Sequence, residues 1–318
     1  MKVFLIAGEP SGDKLGAALM AGLKELVPEI EFHGVAGPLM QEQGMGSLFP
    51  MEELSVMGLA EILPKYFDLK RRIRQTAEAV LADPPDVLIT IDSPDFCLRV
   101  ARLVKAASDI RTVHYVAPTV WAWRPGRAEK MAKVIDQVLA LFPFEPPYME
   151  AAGMDCDFVG HPVAAEPEVT DAEITGFRAH HGIDPDRPAL VLLPGSRKSE
   201  IERLGATFSA AIAEAALGHP QVIVPTLPHL VELAQAQLQL PAPPVIVAGQ
   251  GQSAEAAARE RLVAMASADL ALAASGTVSL ELAAADTPMV IAYDMSWLSR
   301  RIIGRMLRVD TVTLVNLV

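Results

Sequence analysis

Four short segments carry residues whose chemistry goes beyond what folding requires. In Ile91-Asp92-Ser93-Pro94-Asp95-Phe96 a carboxylate directly follows the apolar run Val87–Ile91. A carboxyl group there, flanked by apolar residues, is placed to hold its proton more tightly than usual and to act as a general base on a hydroxyl. Asp95 precedes a helical segment and reads as its N-cap, whereas Asp92 has no such routine duty. In Gly8-Glu9-Pro10-Ser11-Gly12-Asp13 the Glu9 carboxylate, the Ser11 hydroxyl and backbone N–H groups meet at a helix start and can face a polar ligand. The competing reading is a capped turn in which Ser11 and Asp13 satisfy helix donors. Leu193-Pro194-Gly195-Ser196-Arg197-Lys198-Ser199-Glu200-Ile201 puts Arg197 at a loop-to-helix junction, where Gly195, Ser196 and Arg197 suit a phosphate or pyrophosphate. Capping by Ser196 or Ser199 with Glu200 would explain the serines and leave Arg197 without a purpose. In Ala274-Ser275-Gly276-Thr277-Val278-Ser279-Leu280-Glu281 the turn Ser275-Gly276-Thr277 offers N–H donors to an anion. Glu281, four residues past Thr277 and on the same helix face, can reach ribose hydroxyls. The last two segments together suit a nucleoside diphosphate.

Several other chemistries are disfavoured by the same residues. Glycines 8, 12 and 16 are spaced by four, so the dinucleotide fingerprint is absent, and no Gly-Lys-Ser/Thr follows as a P-loop would need. A nicotinamide enzyme is therefore disfavoured, and no cofactor is assigned. Asp155-Cys156-Asp157 and Asp184-Pro185-Asp186 match a metal-holding pattern, but one leads into a strand and the other lies in a proline turn; the seven histidines show no paired ligand spacing. No metal is assigned.

Each of the four segments must be presented by a strand and a following helix. Val3–Ala7, Glu31–Val35, Val87–Ile91, Thr112–Val116 and Gln137–Phe142 are short apolar runs alternating with helical patterns, which predicts an α/β domain with a doubly wound parallel sheet. Prolines crowd between Phe142 and Pro188, and a second series follows: Ala189–Leu193, Gln221–Pro225, Pro244–Ala248, Asp269–Ala273 and Met289–Tyr293. The expectation is two Rossmann-like domains, 1–165 and 166–318. Val309–Val318 reads as an apolar, strand-like end without a closing helix or cap, as in a truncated chain.

Composition agrees with two packed α/β domains. The 318 residues are 51% hydrophobic, 21% charged and only 5% aromatic. A formal net charge of −12 argues against nucleic acid as the main partner. Cys97 and Cys156 are the only cysteines, which points to a reducing compartment, the cytoplasm. Met1–Gly8 is too brief for a signal peptide, and no run reaches the roughly 18 to 20 apolar residues that span a bilayer.

Taken in order, these segments closely resemble lipid-A-disaccharide synthase. The resemblance runs through Gly8–Asp13, Val35-Ala36-Gly37-Pro38, Met51-Glu52-Glu53-Leu54 with Val56-Met57-Gly58, Ile91–Phe96, His114–Arg124 with its Trp-Ala-Trp, Phe158-Val159-Gly160-His161-Pro162, Leu193–Arg197 and Ala274–Glu281. It implies an inverting glycosyltransferase of the GT-B type, with two Rossmann-like domains and the active site in the cleft between them. It further implies that UDP-2,3-diacylglucosamine is joined to 2,3-diacylglucosamine 1-phosphate, giving the lipid A disaccharide 1-phosphate and UDP. On that resemblance Asp92 is the base for the acceptor 6-hydroxyl, Glu9 and Ser11 line the acceptor side, and Arg197 with Ser275-Gly276-Thr277 stabilises the leaving UDP. Glu281 holds the ribose. Asn316, in Leu314-Val315-Asn316-Leu317, matches a family Asn near the nucleotide sugar, with Val315 in place of the usual Pro. Family members continue beyond this position, and the continuation contributes to a homodimer.

Acylated substrates stay in a bilayer, so the enzyme is expected to dock as a peripheral protein on the inner face of the inner membrane of a Gram-negative cell. Ser296–Arg308 carries Trp297, Arg300, Arg301, Arg305 and Arg308 with no acid, the pattern of an interfacial helix. Val56, Met57, Leu59 and Leu63, followed by Lys65, Lys70, Arg71 and Arg72, form a second such stretch. Both also fit core helices with a solvated basic face. The rival functions are another GT-B enzyme using UDP-N-acetylglucosamine, such as an epimerase or a water-soluble transferase, and a non-catalytic nucleotide-binding protein.

Overall fold

The structure, a computed structural model, describes residues 1–54, 59–122, 124, 126–215, 219–294 and 313–316. The chain divides into two compact units, Met1–Pro162 and a second that begins at Val163.

The first unit alternates strand and helix: β1 (Lys2–Ala7), α1 (Pro10–Leu26), β2 (Glu31–Val35), α2 (Pro38–Glu42), α3 (Leu59–Ala82), β3 (Val87–Ile91), α4 (Pro94–Lys105), β4 (Arg111–Tyr115), α5 (Gly126–Met131), β5 (Gln137–Ala140), α6 (Pro146–Glu150) and β6 (Asp155–Phe158). All six strands are parallel, in the order β2-β1-β3-β4-β5-β6. Helices cover both faces, so the central strands are apolar on both sides. Val3, Leu5, Ile6, Leu88, Ile91, Val138 and Ala140 are fully buried. Burial of each of the larger side chains is worth about 1.5–3 kcal/mol. In α4 the buried Phe96, Cys97, Val100, Ala101 and Val104 recur at helical spacing and form its sheet-facing stripe.

The second unit opens on α7 (Asp171–His180), started by a capping box in which Thr170 and Glu173 satisfy each other's backbone donors. Then come β7 (Ala189–Leu193), α8 (Lys198–Glu214), β8 (Gln221–Pro225), α9 (Val231–Gln237), β9 (Val245–Val247), α10 (Ala254–Ala266), β10 (Leu270–Ala274), α11 (Val278–Ala284) and β11 (Met289–Ala292). The parallel order is β11-β10-β7-β8-β9. Arg259 of α10 grips the Glu173 carboxylate and the carbonyls of Pro167 and Glu168, tying α7 and the segment before it to the sheet's helical layer.

Both orders have a point where successive strands depart to opposite sides. It lies between β1 and β3 in the first unit and between β7 and β10 in the second, and at such a point the loops beyond the strand carboxyl ends part into a ligand-binding crevice. The four segments singled out in the sequence follow β1, β3, β7 and β10, one pair at each switch point.

Three local expectations need correction. Helix α1 begins at Pro10, so Ser11, Gly12 and Asp13 lie in its first turn and not in a loop; Pro is well placed there because its missing N–H is one the first turn cannot use. Helix α4 is capped at Ser93, and Asp95 sits inside its first turn instead of at the N-cap. Leu314–Asn316 is a 3-10 turn, not part of a strand. The basic segment with Trp297, Arg300, Arg301 and Arg305 lies outside the described residues, as do Val56, Met57, Trp123 and the side chains of Leu59 and Leu63.

Candidate active site

At the first switch point the register pairs Ala7 with Ile91, which sets Gly8-Glu9 beside Asp92-Ser93. Gly8 is a packing requirement: a Cβ there would stand 2.5 Å from Ser93 Oγ and 2.9 Å from Ser93 Cβ. Gly16, in the second turn of α1, is equally confined: a Cβ there would lie 2.4 Å from Met40 Sδ and 3.0 Å from Ile91 Cδ1. The two glycines bring α1 and the loop after β1 close to the end of β3. Glu9 then caps α1 in extended conformation, at the carboxyl edge of the sheet.

Asp92 and Ser93 are both left-handed, with φ of 48° and 44°. Neither is glycine, so the turn stores strain of about 1–3 kcal/mol per residue. Asp92 N–H donates to the Tyr115 carbonyl, extending the β3–β4 ladder by one residue past the strand. The strained backbone turns the residue out of the strand line. Its carboxyl is partly buried, and desolvation raises its pKa, opposed by a hydrogen bond from the Ser93 backbone N–H. The next strand repeats the device. Val116, directly after β4, has φ of 86°, a severe position for a β-branched residue, while its N–H donates to the Leu139 carbonyl. Strain is thus concentrated along one edge, where Glu9 and Asp92 lie.

Asp13 has a duty that the sequence did not reveal. It is 2% exposed, and its two carboxylate oxygens accept the backbone N–H groups of Leu39 (2.9 Å) and Met40 (3.1 Å). It caps α2, a different helix from its own, so the capped-turn reading of Gly8–Asp13 holds for Asp13 only in this indirect form. Ser11 is exposed in the first turn of α1.

At the second switch point Gly195, with φ of 127°, turns the chain out of β7 and Arg197 caps α8. Glu200 folds back on this loop. Its Oε2 accepts the N–H groups of Ser196 (2.9 Å) and Arg197 (3.3 Å), and its Oε1 accepts from Arg197 Nη1 (2.9 Å). The donors expected to meet a phosphate therefore converge on one point, which an internal carboxylate fills. After β10, Thr277 caps α11 and the Ser275 N–H donates to the Ala292 carbonyl of β11. Glu281 Oε1 accepts from Arg261 Nη2 of α10 at 2.8 Å, an alignment the sequence did not show. Asn316 is exposed on the 3-10 turn that packs against α11, so Asn316 and Glu281 belong to one corner of the unit.

The segments singled out in the sequence leave out an open surface hollow of about 360 Å³ beyond β9, lined by Val231, Val247, Gly249, Gln252 and Glu260 among others. Its signal was available in Gly249-Gln250-Gly251-Gln252, whose glycines both take positive φ, 59° and 76°. As for the two acidic pairs weighed as metal holders, Asp155 pairs with Arg111 at 3.3 Å and Asp184 accepts the Asp186 N–H within a turn.

These arrangements fit one family. The sequence profile described as lipid-A-disaccharide synthetase matches residues 3–318. Lipid-A-disaccharide synthase of Ruegeria pomeroyi is 63% identical over 321 residues, covering 100% of this chain and 80% of that protein. The enzyme of the same name from Rhodospirillum centenum is 50% identical over 99% of this chain and 78% of that protein. Among solved structures, UDP-GlcNAc 2-epimerase from Neisseria meningitidis bound to UDP-GlcNAc superposes with a TM-score of 0.65 at 11% identity, over 96% of this chain and 85% of that one, a likeness of fold. By profile, by identity and by the order of its site segments, the chain belongs to the lipid-A-disaccharide synthase family.

Proposed function

We propose that the chain joins UDP-2,3-diacylglucosamine to 2,3-diacylglucosamine 1-phosphate in a single inverting displacement. Asp92 takes the proton of the acceptor 6-hydroxyl, the oxygen attacks the anomeric carbon, and the bond to the UDP oxygen breaks with its electron pair leaving on UDP. The observation that carries this reading is Asp92 itself, a carboxylate at a topological switch point on strained backbone, partly withdrawn from water so that it binds a proton more readily. Glu9, the N-cap of α1, and Ser11, in its first turn, border the acceptor.

The donor is held by the second unit. Gly195, Ser196 and Arg197 receive the diphosphate together with Ser275, Gly276 and Thr277 as it displaces the Glu200 carboxylate from the Ser196 and Arg197 donors, and charge developing on the leaving group is stabilised by the Arg197 guanidinium and these amides. Glu281, aligned by Arg261, and Asn316 take the sugar hydroxyls of the nucleotide sugar.

Membrane docking follows from the acyl chains. Among the described residues no helix is long and apolar enough to cross a membrane. Helix α3 does offer Phe67, 80% exposed, above Lys70, Arg71 and Arg74, which line a surface hollow of about 350 Å³. An aromatic ring among cations suits a surface of anionic headgroups. Trp297, Arg300, Arg301 and Arg305 would add a second contact of the same chemistry on the cytoplasmic side of the inner membrane.

The test is incubation of the complete protein with both acylated sugars in mixed micelles, reading disaccharide and UDP by mass spectrometry. Product formation together with co-sedimentation on anionic vesicles supports the reading. UDP binding without product or vesicle binding would favour a water-soluble enzyme of UDP-N-acetylglucosamine.

A further inference from the structure

The donors assigned to the diphosphate are already held by an anion, and that anion belongs to the chain itself. Gly195, at φ 127°, leads out of β7, and a Cβ there would stand 2.4 Å from Glu200 Oε2 and 2.5 Å from Glu200 Cβ. The bare glycine is what lets Glu200 fold back from the first turn of α8 over the loop. The Ser196 and Arg197 amides then donate to Oε2 at 2.9 and 3.3 Å, and the Arg197 guanidinium donates to Oε1 at 2.9 Å. Two amides and a guanidinium around one pair of anionic oxygens at a helix start are the surroundings a phosphate would find there.

Helix capping explains only part of this arrangement. A glutamate at this position of a cap has to reach the backbone N–H groups before it, and it needs no guanidinium to do so. The ion pair ties up the one cation that the leaving group requires. Glu200 is also free to move: its side chain is 33% exposed, whereas Ile201 and Leu204 of the same helix are buried and hold α8 to its sheet. The carboxylate can turn into water without opening the core. A phosphate on the same donors would meet it as a second negative charge, so one must leave for the other to bind.

We propose that Glu200 is an internal competitor for the nucleotide diphosphate: it holds the Ser196 and Arg197 donors between turnovers, yields them to the UDP-sugar, and by reclaiming them promotes release of UDP. The inference rests on the functional reading above and adds to it the residue that sets how loosely the product is held. Because the carboxylate stabilises only the empty site, its removal must strengthen the binding of any anion that uses the same donors. Glu200 is off those donors when the sugar is transferred, so it is not a catalytic residue.

The experiment titrates UDP and, separately, inorganic pyrophosphate into the complete protein by calorimetry, comparing wild type, Glu200→Gln and Glu202→Gln, with Tm measured on the same samples. Glu200→Gln keeps the length and an oxygen for the two amides but loses the charge that holds Arg197. Glu202 is exposed and pairs with Lys198 at 3.7 Å, so its variant removes the same charge from the same helix without touching the loop. The expected result is a Kd for UDP and for pyrophosphate about three- to tenfold lower in Glu200→Gln, the scale of exchanging charged for neutral hydrogen bonds at a partly exposed site, with no change in Glu202→Gln. Product inhibition by UDP in the micelle assay tightens by the same factor in Glu200→Gln. A capping role alone has the opposite sign: a weakened cap lowers Tm and leaves UDP affinity unchanged or poorer. Wild-type or weaker UDP affinity in Glu200→Gln, or an equal gain in Glu202→Gln, would overturn the inference alone; a wild-type protein that neither binds UDP nor makes disaccharide would overturn the functional reading and this inference with it.

Discussion

Gly8 and Ser93 approach so closely that a single methyl group on Gly8 would lie 2.5 Å from Ser93 Oγ. The contact joins the loop after β1 to the loop after β3, and it sets Glu9 next to Asp92. Gly8→Ala should therefore push Ser93 off its strained turn, lowering stability by about 1–3 kcal/mol and activity by more. Ser93→Gly in the same chain supplies both room and freedom at positive φ, so it should recover most of the lost stability. Denaturant unfolding of the two single variants and the double decides the point. Additive losses would mean that the two loops are not in contact.

As the proposed base, Asp92 should set the acid side of the pH profile. Desolvation raises its carboxyl above the ordinary carboxylate range, so kcat/KM should begin to fall on acidification at a higher pH than a solvent-exposed aspartate would give. In Asp92→Asn that limb should vanish along with roughly 10²–10⁴-fold of the rate. A pH–rate series on both proteins is the measurement, and an unchanged limb in the variant would assign it to another group.

His114 makes the first unit acid-sensitive by a separate route. It is 2% exposed; its Nδ1 lies 2.7 Å from Thr90 Oγ1, and Thr90 Oγ1 donates to the Val113 carbonyl. Burial lowers the His114 pKa to about 4, so the folded protein holds the ring neutral. A histidine with a depressed folded pKa costs nothing above its unfolded value of 6.5, and destabilises progressively as pH falls from there towards 4. The full loss is about 3 kcal/mol. Unfolding free energies across that range should show the slope in the wild type and a flatter line in His114→Gln.

Arg261 is predicted to matter for donor binding without touching the diphosphate. It holds Glu281 through a 2.8 Å hydrogen bond, and loss of one such charged contact is worth about 1–2 kcal/mol. Arg261→Ala should weaken UDP binding by roughly five- to thirtyfold, with glutamine at 281 much less sensitive to the same change. Calorimetric titration with UDP checks this.

The fold was legible because its strands are buried on both faces. Val87–Ile91, Ala189–Leu193 and Gln221–Pro225 stand out as continuous apolar runs, and their observed bounds are the ones the runs predict. Where a run continues past the ladder, as at Leu141-Phe142 after β5, the apolar pattern overstates the strand, because Pro143 and the Glu145 turn take the chain away. Asp92 was legible from its place at a strand end. Its left-handed backbone was not, since neither Asp92 nor Ser93 is a glycine and the close approach of Gly8 to Ser93 comes from a distant part of the chain. Asp13 and Glu145 were missed for a related reason. Each serves as an internal acceptor for backbone N–H groups: those of Asp13 lie 26 and 27 residues on and leave no mark on local spacing, while those of Glu145 lie three and four residues back, in a turn that the apolar run conceals.

In the proposed reaction Asp92 removes the acceptor proton in a transfer whose donor is held by the second unit. Single-turnover disaccharide formation in mixed micelles, with UDP affinity measured on the same samples, tests it most directly in wild type and Asp92→Asn. The wild type should form disaccharide and UDP, and the variant should bind UDP with wild-type affinity but form product at least a hundredfold more slowly. A variant that forms disaccharide at the wild-type rate would contradict it.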